Sequence, residues 1–191
     1  MDEPISLPIP RRHFLVSAGN LAVAGCLFGV DPTGREAFQA GQHGKILPEV
    51  LSTAEAAAVE QSILAKDLKK YFGQGYSCAE SMLMVGIHYL AKPEELVWLA
   101  GGFGRGMYHR DVCGIMTGGI MALGLAAGQL KLERKIAKER NEQDVQAYWA
   151  WWTSQAPLRC TEIRPEGTKF EVCLRLGLLA AVKIEALVSR R

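Results

Sequence analysis

Three Ser/Thr-x-x-Glu patterns mark the starts of helices along this chain. They occur at residues 52–55, 77–80 and 168–171, and in each a hydroxyl residue stands three positions before a glutamate. This is the capping box, in which the two side chains bond to free backbone amides of a new helix. Apolar residues then recur at helical spacing, and no segment alternates convincingly with period two. We therefore predict an all-α fold, a single bundle of five or six helices over residues 52–191.

Glycine and proline set the ends of the predicted helices. Gly73 and Gly75 end the first helix, the glycine-rich stretch 101–106 ends a short third one, and Pro157 ends a long charged one. The predicted helices cover about 53–71, 77–90, 93–100, 111–127, 131–155 and 168–187.

The helix predicted after Asp111 is unusually rich in glycine. A glycine inside a helix costs about 0.5 to 1 kcal/mol relative to alanine. Gly114, Gly118 and Ala122 are spaced at i, i+4 and i+8, which places them on one face. We predict that something approaches the backbone of this face closely, either a neighbouring helix or a cofactor.

Four of the five cysteines lie in the predicted helical domain, namely Cys78, Cys113, Cys160 and Cys173. We predict Cys78 at the first position of a helix, Cys113 in the first turn of the glycine-rich helix, Cys160 in a loop and Cys173 in the second turn of the last helix. A helix N-terminus stabilises a thiolate through its partial positive charge and free N–H groups. The chain has no C-x-x-C pair, so a zinc ribbon, a bacterial ferredoxin run and a thioredoxin-like motif are excluded.

The N-terminus resembles a twin-arginine export signal. Arg11 and Arg12 precede an apolar run over residues 14–30. We predict a signal or anchor at 1–30, a linker at 31–51, and a protein that is periplasmic or attached to the membrane through its N-terminus. Residues 23–26 also resemble a lipobox, which leaves lipidation of Cys26 open. This route carries folded proteins, commonly with a cofactor, to a compartment where disulfides also persist.

Composition limits the class of partner. The chain has 191 residues, of which 49% are hydrophobic, and a formal net charge of +2. That is enough for one core, and the charges do not form the basic stripe of a nucleic-acid-binding protein, so we exclude nucleic acid. An aromatic cluster at 148–152 indicates a core or dimer contact, or the wall of a cofactor pocket, and a homodimer stays open.

The ordered cysteines resemble those of the redox-active C-GCAxxG-C-C proteins. The resemblance rests on Cys78 within 76–80, the loop 101–107, the Cys-Gly-Ile-Met-Thr-Gly element at 113–118, and then Cys160 and Cys173. It covers about residues 55–188, with isoleucine at 115 where the family pattern has alanine. The C-terminal part of split-Soret cytochromes is similar and is associated with an iron-sulfur cluster, while their haem-bearing part has no counterpart here.

The resemblance implies a cofactor. By this likeness Cys78, Cys113, Cys160 and Cys173 hold an iron-sulfur cluster of the [2Fe-2S] type, with Gly114 and Gly118 leaving room beside it. The protein would then be an exported electron-transfer protein with an unidentified redox partner protein. Two alternatives stay open: a thiol-disulfide redox protein, and a structural or partner-binding helical module whose cysteines form disulfides or a zinc site.

Overall fold

The computed structural model describes residues 47–190, which fold into helices. The predicted signal, Cys26 and most of the linker lie outside these described residues. The elements are α1 (Thr53–Gln61), α2 (Ile63–Gly73), α3 (Cys78–Tyr89), a 3₁₀ segment (Glu94–Phe103), a π-type turn (Gly106–Arg110), α4 (Gly114–Gln129), α5 (Arg134–Gln155), α6 (Cys160–Ile163) and α7 (Glu171–Val188). Residues 47–190 contain no strand, so the all-α prediction is confirmed. The same part of the chain has seven α-helices, more than the five or six predicted, and none of them is long and apolar enough to cross a membrane.

Two of the three predicted capping boxes form. The Ser52 hydroxyl accepts the Glu55 amide at 3.3 Å, and the Glu55 carboxylate accepts the Ser52 amide at 2.8 Å. Ser77 and Glu80 make the same pair of bonds at the start of α3, at 3.4 and 2.8 Å. The box predicted at residues 168–171 is wrong, because a turn there leaves α7 to begin after Phe170 without a side-chain cap. Two of the three helix starts are therefore set by residues within one turn.

The single helix predicted over 53–71 is wrong, because the chain breaks at Ser62. This residue is extended, with φ −88° and ψ 126°, and its hydroxyl accepts the Ala65 amide at 3.0 Å to cap α2. The hydroxyl also donates to the carboxylate of Glu185 on α7, which accepts the amides of Ile63 and Leu64 at 3.3 and 3.2 Å. A carboxylate distant in sequence thus satisfies amides that a continuous helix would have used internally.

Helix α3 is the centre of the bundle. Its residues 79–87 are buried except for the half-buried Glu80, which requires neighbours on nearly every side. Helix α4 packs most extensively on it, and α2, α7 and the 3₁₀ segment cover its other faces. The α3–α4 approach is close because a Cβ on Gly86 would lie 2.6 Å from the Cβ of Ala122, and one on Gly118 would clash with the backbone oxygen of Ala79. Of the two explanations offered for the glycine face, a neighbouring helix is what the structure shows.

An ion pair between Glu55 and Arg175 joins α1 to α7. Arg175 is only 9% exposed; its Nη2 donates to Glu55, and its Nε has no hydrogen-bond partner among the described residues. Partial burial raises the pKa of Glu55, but hydrogen bonds from Ser52 and the Arg175 charge outweigh it and hold the pKa below its usual value. The pair therefore stabilises the folded state only while Glu55 is ionised.

Replacing Glu55 with glutamine is expected to lower the free energy of unfolding by about 1 to 3 kcal/mol at neutral pH, because a buried guanidinium loses its counter-charge. Since the folded pKa is depressed, the wild-type advantage is present above the unfolded-state pKa of about 4.3 and disappears as pH falls through the folded pKa. Urea denaturation from about pH 7 to about pH 3 measures this.

The matched control is Glu49→Gln, which breaks an exposed pair with Lys169 at 3.5 Å. We expect it to change stability by less than about 0.5 kcal/mol at any of these pH values. If both variants lose the same free energy of unfolding, the Glu55–Arg175 pair contributes no more to stability than an exposed ion pair.

Candidate redox site

Each of the four cysteines of the described region stands at the N-terminus of a different helix. Cys78 is the first residue of α3, as predicted. Cys113 was predicted in the first turn of α4 but is its N-cap, one position before that turn begins. Cys160 is the first residue of α6, so the loop predicted for it is wrong, and Cys173 lies in the first turn of α7, one turn earlier than predicted. All four are free thiols.

A backbone bridge joins the segment that carries Cys113 to the segment that carries Cys160. Segments 111–113 and 158–160 pair as an isolated antiparallel bridge. The amides of Cys113 and Cys160 donate across it to backbone carbonyls at 2.9 and 2.7 Å. This pairing starts α6 directly after the bridge, and it gives the physical reason why Cys160 is helical and not in a loop.

Gly114 allows the sulfur of Cys78 to lie against the start of α4. A Cβ at residue 114 would come within 2.5 Å of the Cys78 Sγ and 2.8 Å of the backbone oxygen of Phe103. The Cys78 Sγ also accepts the Arg105 amide at 3.4 Å. Cys78 is therefore fixed between the first turn of α4 and the loop that follows the 3₁₀ segment.

That loop contains a left-handed turn in which most residues are not glycine. Arg105, Gly106, Met107 and Tyr108 have φ between 53° and 66°, and Arg110 has 56°. Left-handed backbone costs roughly 1 to 2 kcal/mol for each residue other than glycine. Such strain persists only where surrounding contacts hold it, and it is concentrated at functional sites. Here it directs the Arg105 amide at a cysteine sulfur.

The four thiols are close enough for their charges to act on one another. Burial is the main cause that raises the pKa of Cys78, Cys113 and Cys173, and it brings that of Cys173 to about 11. The charge of Cys160 raises the pKa of Cys78 and Cys173, and the charges of Cys78 and Cys173 raise that of Cys113. The expectation that helix N-termini lower the pKa is therefore wrong for Cys78, Cys113 and Cys173, because desolvation outweighs the favourable backbone amides.

Two residues of the aromatic cluster at 148–152 form hydrogen bonds to the backbone near each of the two bridge segments. Tyr148 and Trp152 of α5 are fully buried in the core, which confirms a core role for these two rings. The Tyr148 hydroxyl donates to the backbone oxygen of Ile115 at 3.4 Å, in the first turn of α4. The Trp152 indole donates to the oxygen of Pro157 at 3.0 Å, just before the segment that carries Cys160. Helix α5 thereby positions both cysteine-bearing segments.

Sequence reasoning missed two arginines at the site. Arg105 contributes through its backbone amide, and its left-handed conformation has no signal in the residue type. The Arg164 side chain hydrogen-bonds Cys173 and favours its thiolate, and Arg110 donates to the backbone oxygen of Arg164. Arg164 and Cys173 lie nine residues apart and outside any common helix, so no helical spacing could have identified this contact.

The donor chemistry of the site fits an iron-sulfur cluster. Thiolates are the ligands such clusters take, and a metal ion deprotonates a coordinating thiol outright. Within residues 47–190, no three side chains of His, Cys, Asp or Glu are grouped so that they could hold a metal ion. Loading would therefore require the four sulfurs to approach one another more closely than they do in this structure.

A family model described as "Putative redox-active protein (C_GCAxxG_C_C)" matches residues 76–187, which is more than half of the chain. The chain belongs to this family. The match includes all four thiols of the site and supports a redox role for this C_GCAxxG_C_C protein. No curated protein and no solved structure matches the chain.

Proposed function

We propose that this chain is an exported electron-transfer protein whose four thiols bind an iron-sulfur cluster, [2Fe-2S]. The ligands would be Cys78, Cys113, Cys160 and Cys173. The observation that supports the proposal is that four free thiols stand at the N-termini of four different helices and that their charges act on one another. When bound, such a cluster supplies one-electron transfer.

The residues around the thiols have distinct tasks in this proposal. The close α3–α4 packing at Gly114 brings Cys78 next to Cys113. Burial excludes water from Cys113, which is 4% exposed. The Arg105 amide and the Arg164 guanidinium donate toward sulfur, and hydrogen bonds to ligand sulfurs tune the reduction potential of such sites.

Export is part of the same proposal and rests on the twin arginines at positions 11 and 12. These residues lie outside the described part of the chain. A route that carries folded proteins suits a site made of residues from four helices, because such a site exists only after folding. Lipidation at Cys26 would add attachment to the membrane, and a redox partner protein would meet the domain there.

Iron and sulfide analysis of protein purified without air tests the cluster. We expect a brown protein with visible absorption and about two irons and about two acid-labile sulfides per chain. A colourless protein without iron would contradict the proposal. Zinc in place of iron would favour the structural module, and thiols that alkylate only after reduction would favour the thiol-disulfide protein.

A further inference from the structure

We propose that the surface formed by Trp98, Leu99, Arg105 and Tyr108 is the docking site for an acidic electron-carrier protein. We call it the Trp98 surface. The inference rests on the proposed electron-transfer function and adds where the partner binds and what charge it carries. In the encounter, the reduced cofactor of the carrier would lose one electron and an iron-sulfur cluster held by the four cysteines would gain it, with no bond formed or broken.

The Trp98 surface exposes large apolar side chains that the fold does not use. Trp98 is 78% exposed, Tyr108 63% and Leu99 61%. Scattered single apolar residues are normal on a surface, but an exposed tryptophan beside a tyrosine and a leucine is not. Tryptophan, tyrosine and arginine are the residues most enriched at the energetic centres of protein interfaces.

The Trp98 surface is continuous with the cysteine site. The ring of Trp98 lies beside Gly101, where a Cβ would come within 3.8 Å of it. The Tyr108 hydroxyl donates to the backbone oxygen of the same Gly101 at 3.2 Å. Arg105 lies between Trp98 and Tyr108 in the sequence, and its backbone amide donates to the Cys78 sulfur. A partner seated on Trp98 and Tyr108 would therefore stand over the loop that touches a ligand.

Strain in the loop is consistent with a surface kept for binding. Arg105, Met107 and Tyr108 all hold left-handed backbone although none of them is glycine. Gly106 is fixed within the turn, because a Cβ there would come within 2.7 Å of the Asp111 backbone. This turn presents the exposed Tyr108 and Arg105 side chains next to the site. A loop selected for stability alone would use residue types that favour this backbone.

The charge around the thiols selects an acidic partner. The two segments that frame the site, 105–111 and 159–164, carry four arginines and two acidic residues: Arg105, Arg110, Arg159, Arg164, Asp111 and Glu162. Asp111 is paired with Arg159 at 3.4 Å. Glu94 and Glu95 are exposed at the beginning of the 3₁₀ segment, whereas the four arginines lie after it, on the two segments that frame the site. Complementary charge steers the encounter of redox proteins and makes it sensitive to salt.

Titration of a dye-labelled acidic flavodoxin with the protein, followed by fluorescence anisotropy, tests this inference. We expect binding at about 20 mM salt that weakens at least about tenfold near 300 mM. Trp98→Ala and Arg105→Gln should each raise the Kd about tenfold, since the first removes the apolar anchor and the second removes the charge but keeps the backbone amide. A basic cytochrome c should not bind.

Matched controls are Ile136→Ala and Lys138→Gln, an exposed apolar and an exposed cationic residue on α5, which should leave the Kd within about twofold. The double change of Glu94 and Glu95 to glutamine should tighten binding, opposite in sign to Arg105→Gln. A flavodoxin that does not bind, or whose Kd the Trp98 and Arg105 variants leave unchanged, would overturn the inference. So would Trp98-dependent binding to vesicles of anionic phospholipid in place of flavodoxin, which would make the surface a membrane contact.

The same titration on iron-loaded and iron-free protein separates this inference from the proposed function. If the protein contains iron and the Trp98 variant has an unchanged Kd, the docking proposal is refuted and the cluster proposal is supported. If the protein contains no iron but its Kd depends on Trp98 and on salt, the docking proposal is supported and the cluster proposal is refuted.

Discussion

Replacing Gly118 with alanine is expected to lower the free energy of unfolding by about 2 to 3 kcal/mol. A Cβ at this position would clash with the backbone oxygen of Ala79 and come within 3.0 Å of Met82, so α3 and α4 would have to separate. Backbone cannot rotate away as a flexible side chain can, and overpacking of a rigid contact costs this much. Urea denaturation followed by circular dichroism measures the change.

Gly124→Ala is the matched control because it lies on the same helix. A Cβ at Gly124 would meet no atom within 4 Å, so the only effect is the better helix propensity of alanine. We expect stabilisation by about 0.5 to 1 kcal/mol. Stability changes of the same sign in the two variants would show that glycine on α4 is not required by the close approach to α3.

Cys113→Ser is expected to abolish iron binding and visible absorption under the proposed function. Cys113 is the most buried of the four thiols, and serine keeps the size of the side chain while it provides a poor ligand for iron. The helical circular dichroism signal should be retained, because serine is a good N-cap for α4. Metal analysis and the absorption spectrum of anaerobically purified protein measure the loss.

Thr117→Ser, one turn further along α4, is the control for Cys113→Ser. Its hydroxyl bonds back to the oxygen of Gly114 at 3.2 Å, and serine can keep that bond. We expect full iron content and an unaltered spectrum. An unaltered spectrum in the Cys113 variant as well would remove Cys113 from the ligand set.

The fold could be predicted from the sequence where it depends on residues close in the chain. Ser52 and Ser77 begin helices as expected, because a capping box satisfies its amides within one turn. Ser62 was not recognised as a break because its partner, Glu185, lies on the last helix. The wrong capping box at residue 168 has a different and local cause, since a turn in which the Thr168 amide donates to the Pro165 oxygen at 3.1 Å places Thr168 outside α7.

The site could be predicted only in outline. The list of four cysteines and the helix start at Cys78 follow from local sequence, whereas the helical position of Cys160 follows from a bridge to residues 111–113. The left-handed conformation of Arg105 contradicts the preference of its residue type, so no propensity argument could find it. The direction of the thiol pKa values depends on burial, which the sequence does not reveal.

The bridge between segments 111–113 and 158–160 also governs the order in which the site can assemble. It closes a loop that contains all of α4 and α5, and contacts between distant residues form more slowly than contacts within one helix. Cys173 lies further along the chain, so nearly the whole domain must leave the ribosome before the fourth thiol exists. The four thiols can therefore come together only after most of the domain has been synthesised and has folded. Under the proposed function, a loaded site would mark a folded domain.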